Sequence, residues 1–420
     1  STLFPYTTLF RSYKNKNILY QLVFFIVWPF GSFLYALWNY NKKESLLVFV
    51  LFTGLFSFSM QSNSEMYDLD RVLNSAELYA SKPDSEFFEI VTGLYGNEDD
   101  AGVDIYRDLV SFVVTRFTSN GHVLLMIFGL VYGFLFSKSI STLLKINDVR
   151  NIKTALILVS FSMIFSMDQI AGIRFATAAY LFFFGLINYL WTSEKKYFVI
   201  LSLSCLVHFS FLSLIVLLLL YLIIKPTEKI TFIALIGSFL AGTLFKGAMV
   251  KIFELLGGSI EKRANLYLGV EGVNQHIVWF VAYREELMLA FIALFFIVSK
   301  LSKTKLVETK LTSNLYNFSM FVLILSNLSI AIPDASYRFM LVFIFLFMAY
   351  VYLSYKQNFN HQNLNYLYSY ASLFFVLQIF YAGRNILYYS PLMLFYGSTP
   401  LFAFKSENEL LTWNFIMQLF

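Results

Sequence analysis

The chain has 420 residues, 58% hydrophobic and 20% aromatic, with only 14% charged and a mean hydropathy of +0.65. This composition excludes a soluble globular domain and identifies a polytopic, all-α integral membrane protein. The formal net charge is +5, and the single cysteine, Cys205, excludes a disulfide framework within one chain.

Residues 2–12, TLFPYTTLFRS, read as an in-frame translation of a sequencing-adapter oligonucleotide, so residues 1–12 are set aside and 13–420 are taken as one transmembrane domain. A hydrocarbon core about 30 Å thick needs about 20 apolar residues of helix. Spans are predicted at approximately 17–38, 45–60, 122–136, 154–167, 170–191, 197–207, 209–224, 230–244, 287–298, 315–332, 338–355 and 366–381, about twelve in all. WPFG at 28–31 leaves the first run open between a single span and a re-entrant pair.

Lysine and arginine in short loops set the orientation. Lys42, Lys43, Lys138, Lys145, Arg150, Lys153, Lys195, Lys196, Lys225, Lys229, Lys300, Lys303, Lys305, Lys310 and Lys356 fall in alternate loops, which are placed in the cytoplasm. The long segments 61–121 and 245–286, with the turns at Asp168, His208 and Asp334, then face outward. Segment 61–121 holds twelve acidic against four basic residues, which keeps it solvated. Within it, FFEIVTGLY and VDIYRDLVSFVVTRFTS have the spacing of short amphipathic helices lying along the outer surface, and the GNEDDAG between them reads as a turn.

An ionisable group at membrane depth costs about 2.5 to 3.5 kcal/mol or more, so it faces a partner or a polar cavity. Arg174 is predicted about one turn inside the outer end of its span, six residues after Asp168. It either pairs with Asp168 or serves a cavity, and Ala171, Gly172, Ala176, Ala178 and Ala179 predict a thin face for close helix packing around it. His208, in CLVHFSFLSL, falls in the same leaflet as either a hydrogen-bonded interfacial residue or a base. Arg338 stands beside Asp334 and Tyr337, and Arg284 and Arg384 repeat the pattern of an arginine at an outer helix end. Each alone reads as a helix-end ion pair worth about 0 to 1 kcal/mol. Together they contrast with the lysine-rich inner loops, because arginine presents a planar fork matched to phosphate or carboxylate oxygens.

The DLD at Asp68 to Asp70 has a spacing common by chance in so acidic a segment, so no metal site is expected there. No metalloprotease, P-loop, nucleophile-elbow or Cys/His motif occurs, and no basic patch alternates with aromatics, so no nucleic-acid partner is expected. No internal repeat with matching broken spans is visible, which removes the usual sequence pointer to a secondary transporter.

Three stretches carry a resemblance. MYDLDRVLNSAELY after an early span, GIRFATAAYLFFFGLINYLWTSEKKYFVILSLSCLVHFSFLSLIVLLLL in the middle and YRFMLVFIFLFMAYVYLSY near the end resemble the EpsG and Wzy-type polysaccharide polymerases. Arg174, then Lys195 with Lys196, then His208 follow that family's order, and its early outer motif looks like Asp70, Arg71 and Tyr79. Members of the family the chain resembles often carry a glutamine or similar polar residue after the arginine, whereas Phe175 stands here. The resemblance implies a GT-C-like, metal-independent glycosyltransferase without cofactor in the bacterial cytoplasmic membrane. It would transfer a glycan from polyprenyl diphosphate to another lipid-linked repeat unit at the outer face, in the O-antigen or exopolysaccharide manner. Implied partners are the lipid-linked oligosaccharide, membrane lipids and a chain-length regulator or flippase of the same pathway. Candidate catalytic residues are His208, Arg174 and Asp70. Arg71, Arg174, Arg284, Tyr337, Arg338 and Arg384 are candidates for holding diphosphate or glycan. A lipid-linked glycan ligase, an oligosaccharide flippase and a surface-glycan acyltransferase stand as alternatives.

Overall fold

The apolar runs form helices, and no strand occurs among the described residues of the computed structural model. These are 18–60, 67–88, 105–224, 226–244, 284–301, 306–330, 332–358, 360 and 362–389. The helices are α1 (Ile18–Val27), α2 (Pro29–Trp38), α3 (Lys43–Phe58), α4 (Tyr67–Ser81), α5 (Ile105–Thr115), α6 (Gly121–Ile146), α7 (Ile152–Ile164) and α8 (Phe175–Thr192). There follow α9 (Lys195–Ser202), α10 (Ser204–Val207), α11 (Phe211–Ile224), α12 (Glu228–Leu244), α13 (Arg284–Leu301), α14 (Lys310–Leu328), α15 (Pro333–Asn358) and α16 (Gln362–Tyr389). Among the described residues, Gly121–Ile146, Ile152–Gly172, Phe175–Thr192 and Asp334–Asn358 are long and apolar enough to cross a membrane. Ile18–Val27, Phe211–Ile224, Lys229–Gly242 and Leu287–Ser299 are shorter apolar helices.

Several predicted boundaries move. The first run breaks at Trp28 into α1 and α2, with Pro29 opening α2 where its missing N–H costs nothing. A Cβ on Gly31 would stand 2.1 Å from the Trp28 ring, so the break requires glycine there. Helix α6 runs to Ile146, ten residues past its predicted end, because nothing in FSKSISTLLKI stops a helix. Lys138 therefore lies inside α6, its ammonium over the Phe134 ring at 5.3 Å, and not in a loop. Of the two amphipathic helices predicted in the acidic segment, VDIYRDLVSFVVTRFTS contains α5, whereas most of FFEIVTGLY and the GNEDDAG turn lie outside the described residues. The part of MYDLDRVLNSAELY from Tyr67 onward, where no helix is predicted, lies in α4.

Small residues draw α3 and α6 together. Gly129 and Gly133 form a GxxxG pair facing α3, where an added Cβ would meet Ser57 Oγ at 2.1 Å and Thr53 Oγ1 at 2.0 Å. The Thr53 and Ser57 hydroxyls donate back to Phe49, Val50 and Thr53 carbonyls, so this seam leaves them satisfied. At the centre of the bundle stands α15, in which every residue from Leu341 to Tyr355 is buried. Phe345 stacks on Phe161 of α7 at 4.2 Å and meets Phe165, Tyr180 and Phe183. A helix apolar on all sides fits only such a central place.

Alternation of direction gives the bundle two ends. Lys43, Lys145, Lys153, Lys195, Lys310 and Lys356 lie at helix termini that share one end, the lysine end. The 3₁₀ turn Met167–Gly172, the α10–α11 junction and the start of α15 share the other. Helix α4 packs on α6 and on that 3₁₀ turn, which brings the described part of the acidic segment to the second end.

Candidate functional site

The site begins where α7 stops. Its last carbonyls lack intrahelical donors, a costly situation at membrane depth. Two buried tyrosines supply them: Tyr132 of α6 donates to the Phe165 carbonyl, and Tyr180 of α8 donates to Phe165 at 3.2 Å and Ser162 at 3.3 Å. The break is thereby tolerated, and the chain continues as the 3₁₀ turn Met167–Gly172. Asp168 in this turn is 4% exposed and accepts a hydrogen bond from Ser166 Oγ.

Ile173 then takes φ 54° and ψ −49°, with the Arg174 N–H donating to the Gly172 carbonyl at 2.5 Å. This is the rare, strained hand of γ-turn, and a β-branched residue at positive φ adds to its cost. Helix α8 starts only after it, at Phe175, so Arg174 is the N-cap residue and not one turn inside a span. The γ-turn interrupts a run whose apolar pattern is continuous, so hydropathy does not signal it. Gly172 is exposed, with open space where a Cβ would be, so it does not pack a helix face as predicted; Ala176, Ala178 and Ala179 of that set are buried in α8.

His208 caps α10 in extended conformation, at the reversal into α11. The turn is fixed by Ser210, whose Oγ lies 2.9 Å from His208 Nδ1 and whose backbone N–H lies 3.3 Å from it. Across the bundle, Nη1 of Arg338 on α15 lies 3.3 Å from His208 Nε2. A guanidinium can only donate, so Nε2 is the acceptor of this contact. Among the described residues His208 is the one protein group in hydrogen-bond reach of Arg338, and no carboxylate pairs with it. The predicted helix-end pair with Asp334 therefore does not occupy Arg338; Asp334 is exposed in the first turn of α15.

Phe175 joins these groups. Its ring lies 5.3 Å from the His208 ring in edge geometry and 5.7 Å beneath the Arg338 guanidinium carbon. Phe165 and Phe211 hold the ring at 5.7 and 5.5 Å. Arg174 is its chain neighbour, so the strained turn, the histidine and Arg338 converge on one aromatic side chain.

The remaining candidates are placed less closely. Asp70 is half-buried and Arg71 exposed on α4. Tyr79 on the same helix is a strut: burial and the nearby Asp108 carboxylate of α5 raise its pKa above the ordinary phenol value, and Arg107 completes the group at 2.9 Å from Asp108. Arg116 closes the far end of α4 by donating to the Tyr79 and Lys82 carbonyls at 2.6 and 2.8 Å. Tyr337 is half-buried in the first turn of α15. Arg284 opens α13 and position 384 lies in α16, helices that pack together; the side chains of Arg284 and Arg384 lie outside the described set. His122 binds the Phe58 carbonyl through Nδ1 at 2.9 Å and so caps α3. Among the described residues no group of three or more His, Cys, Asp or Glu side chains could hold a metal ion.

Apolar helices around a buried central one, with Arg174, His208 and Arg338 at one end, define an all-helical membrane protein with a polar site at its helix termini. The chain belongs to the EpsG family, whose model matches residues 85–399, well over half its length. Membership gives it a glycosyltransferase-like, polysaccharide-polymerase type of role in polysaccharide biosynthesis. No curated protein and no solved structure matches the chain.

Proposed function

We propose that this protein is a multi-pass polysaccharide polymerase of the bacterial cytoplasmic membrane, acting at the outer face on polyprenyl-diphosphate-linked repeat units. The observation that carries this reading is the meeting of Arg338, His208 and Phe175, with Arg174 next in the chain. The acceptor sugar's hydroxyl oxygen attacks the anomeric carbon of the donor glycan and forms the new glycosidic bond. The bond from that carbon to the diphosphate oxygen breaks, its electron pair leaving with the polyprenyl diphosphate. The hydroxyl proton passes to Nε2 of His208, with Asp70 the second candidate base. Arg174 and Arg338 stabilise the charge that develops on the diphosphate, so the scheme needs no metal. Arg71, Arg284 and Arg384 extend the cationic rim, and Tyr337 offers a ring to a sugar.

Helix lengths support a recess at this end. From Lys195 to His208 the chain rises about 20 Å, and α11 about 21 Å, at 1.5 Å per residue, less than the roughly 30 Å of hydrocarbon. Their junction at His208 is read as lying below the outer boundary, where a lipid diphosphate reaches it from the side. The lysine end is read as cytoplasmic, and the shorter helices complete about twelve crossings.

The test is chain elongation in detergent solution, where no leaflets exist. Wild-type protein is expected to lengthen lipid-linked glycan and release polyprenyl diphosphate. Translocation in vesicles without bond formation in detergent would mark a transporter and overturn the reading. Orientation is checked by cysteine labelling in a Cys205→Ser background: Ser119→Cys is expected to react from outside intact cells and Glu194→Cys is not.

A further inference from the structure

Phe175 has no role in the scheme above, yet it touches both groups that do. Its ring lies against the His208 imidazole at 5.3 Å and under the Arg338 guanidinium at 5.7 Å, a separation within cation–π range. The guanidinium directs Nη1 at Nε2 of His208, the nitrogen that must receive the acceptor proton. In this arrangement the Nε2 lone pair is covered. A planar cation resting on an aromatic face keeps its in-plane N–H groups available, and Arg338 has no other protein acceptor among the described residues. A diphosphate, with several anionic oxygens, competes for that fork far better than one neutral nitrogen does.

We propose that Phe175 is a positioning residue that holds Arg338 against His208 Nε2 until a diphosphate draws the guanidinium away and uncovers the lone pair. The hand-off makes the base available only when the donor is bound, which protects against proton transfer without an electrophile in place. It rests on the glycosyl-transfer reading of the same groups.

The experiment is ¹⁵N spectroscopy of histidine-labelled full-length protein, the His208 signals assigned with His208→Gln, titrated with inorganic pyrophosphate against sodium chloride of equal ionic strength. In the wild type the Nε2 signal is expected to be that of an unprotonated, hydrogen-bonded nitrogen and to move with pyrophosphate alone. Phe175→Leu is expected to show the moved signal before any pyrophosphate is added, and Phe175→Tyr, which restores the ring, to behave as wild type. Phe175→Met, closer in volume, is the second non-aromatic variant should Phe175→Leu not fold. A wild-type signal that does not move, that moves equally with chloride, or that is unchanged in the non-aromatic variants overturns the inference. Elongation measured on the same samples separates the two claims: movement without elongation retires the polymerase reading, and elongation without movement retires the hand-off.

Discussion

The two ends of the bundle use the same cation in opposite ways. At the lysine end Arg150 gives Nη1 to the Asn147 carbonyl at 2.5 Å and Nη2 to the Leu144 carbonyl at 2.7 Å, closing the C-terminus of α6. Around it Asn147 donates to the Tyr352 carbonyl at 2.7 Å, Lys153 to Asn365 Oδ1 at 2.6 Å, and Asn151 caps α7 in a capping box with Thr154. There the named side chains bond backbone and one another, while Ser45 Oγ, the Tyr352 hydroxyl and Gln357 Oε1 stand buried without a hydrogen-bond partner among the described residues. At the opposite end Arg338 meets a single acceptor among the described residues, a histidine nitrogen, and the backbone beside it carries a strained γ-turn. Strain and unspent donors in one place are what a ligand site retains and a structural corner removes.

Exchanging the two arginines for alanine sharpens this contrast most. Arg338→Ala is expected to lower elongation by about 100-fold or more, the range for a preorganised donor to a developing anion, with little change in thermal stability. Arg150→Ala is expected to do the reverse: about 2 kcal/mol of destabilisation from orphaned carbonyls, with normal turnover in the protein that remains folded. Equal loss of turnover in both would erase the distinction. Rates and melting curves on the two variants decide it.

A packing change away from both ends comes next. Gly133→Ala puts a methyl 2.0 Å from Thr53 Oγ1 and 3.0 Å from Val50 Cα, so α3 and α6 must part. A cost of about 1 to 3 kcal/mol is expected, read as a lower denaturation midpoint, with the rate of folded enzyme kept. The last change concerns the turn itself. Ile173→Gly relieves the steric penalty of positive φ, about 1 to 2 kcal/mol, but deletes a side chain that is 2% exposed, a loss of about 2 to 5 kcal/mol, so a net drop of about 1 to 3 kcal/mol is expected, with elongation slowed several-fold because Arg174 is then held less firmly. A gain in both properties would mean that the strained turn has no part in the chemistry.

Much of this contrast was legible in the residues. The apolar runs, the break at Trp28–Pro29, the lysine loops and the arginines at opposite helix ends follow from composition and spacing, and the resemblance to the family is confirmed by its model over residues 85–399. GLVYG at 129–133 carries the close α3–α6 approach, but a GxxxG inside a hydrophobic run does not alter hydropathy and so leaves no mark on the predicted spans. The γ-turn at Ile173 was not legible. Isoleucine argues for extended or helical backbone, and only the tyrosines of α6 and α8 that cap α7 make the break tolerable. Phe175 was read as a departure from the family pattern; its meaning depends on His208 and Arg338, distant in sequence, arriving on either side of one ring.

The central claim is that Arg174 and Arg338 act on one diphosphate beside His208. Elongation rates of purified Arg174→Ala, Arg338→Ala and the double variant, on polyprenyl-diphosphate-linked repeat units, test it most directly. Groups that act as a unit are strongly non-additive, so each single change is expected to cost about 100-fold and the double only a few-fold more. A double variant slower by the full product of the two losses, or either single variant at the wild-type rate, would contradict a shared site.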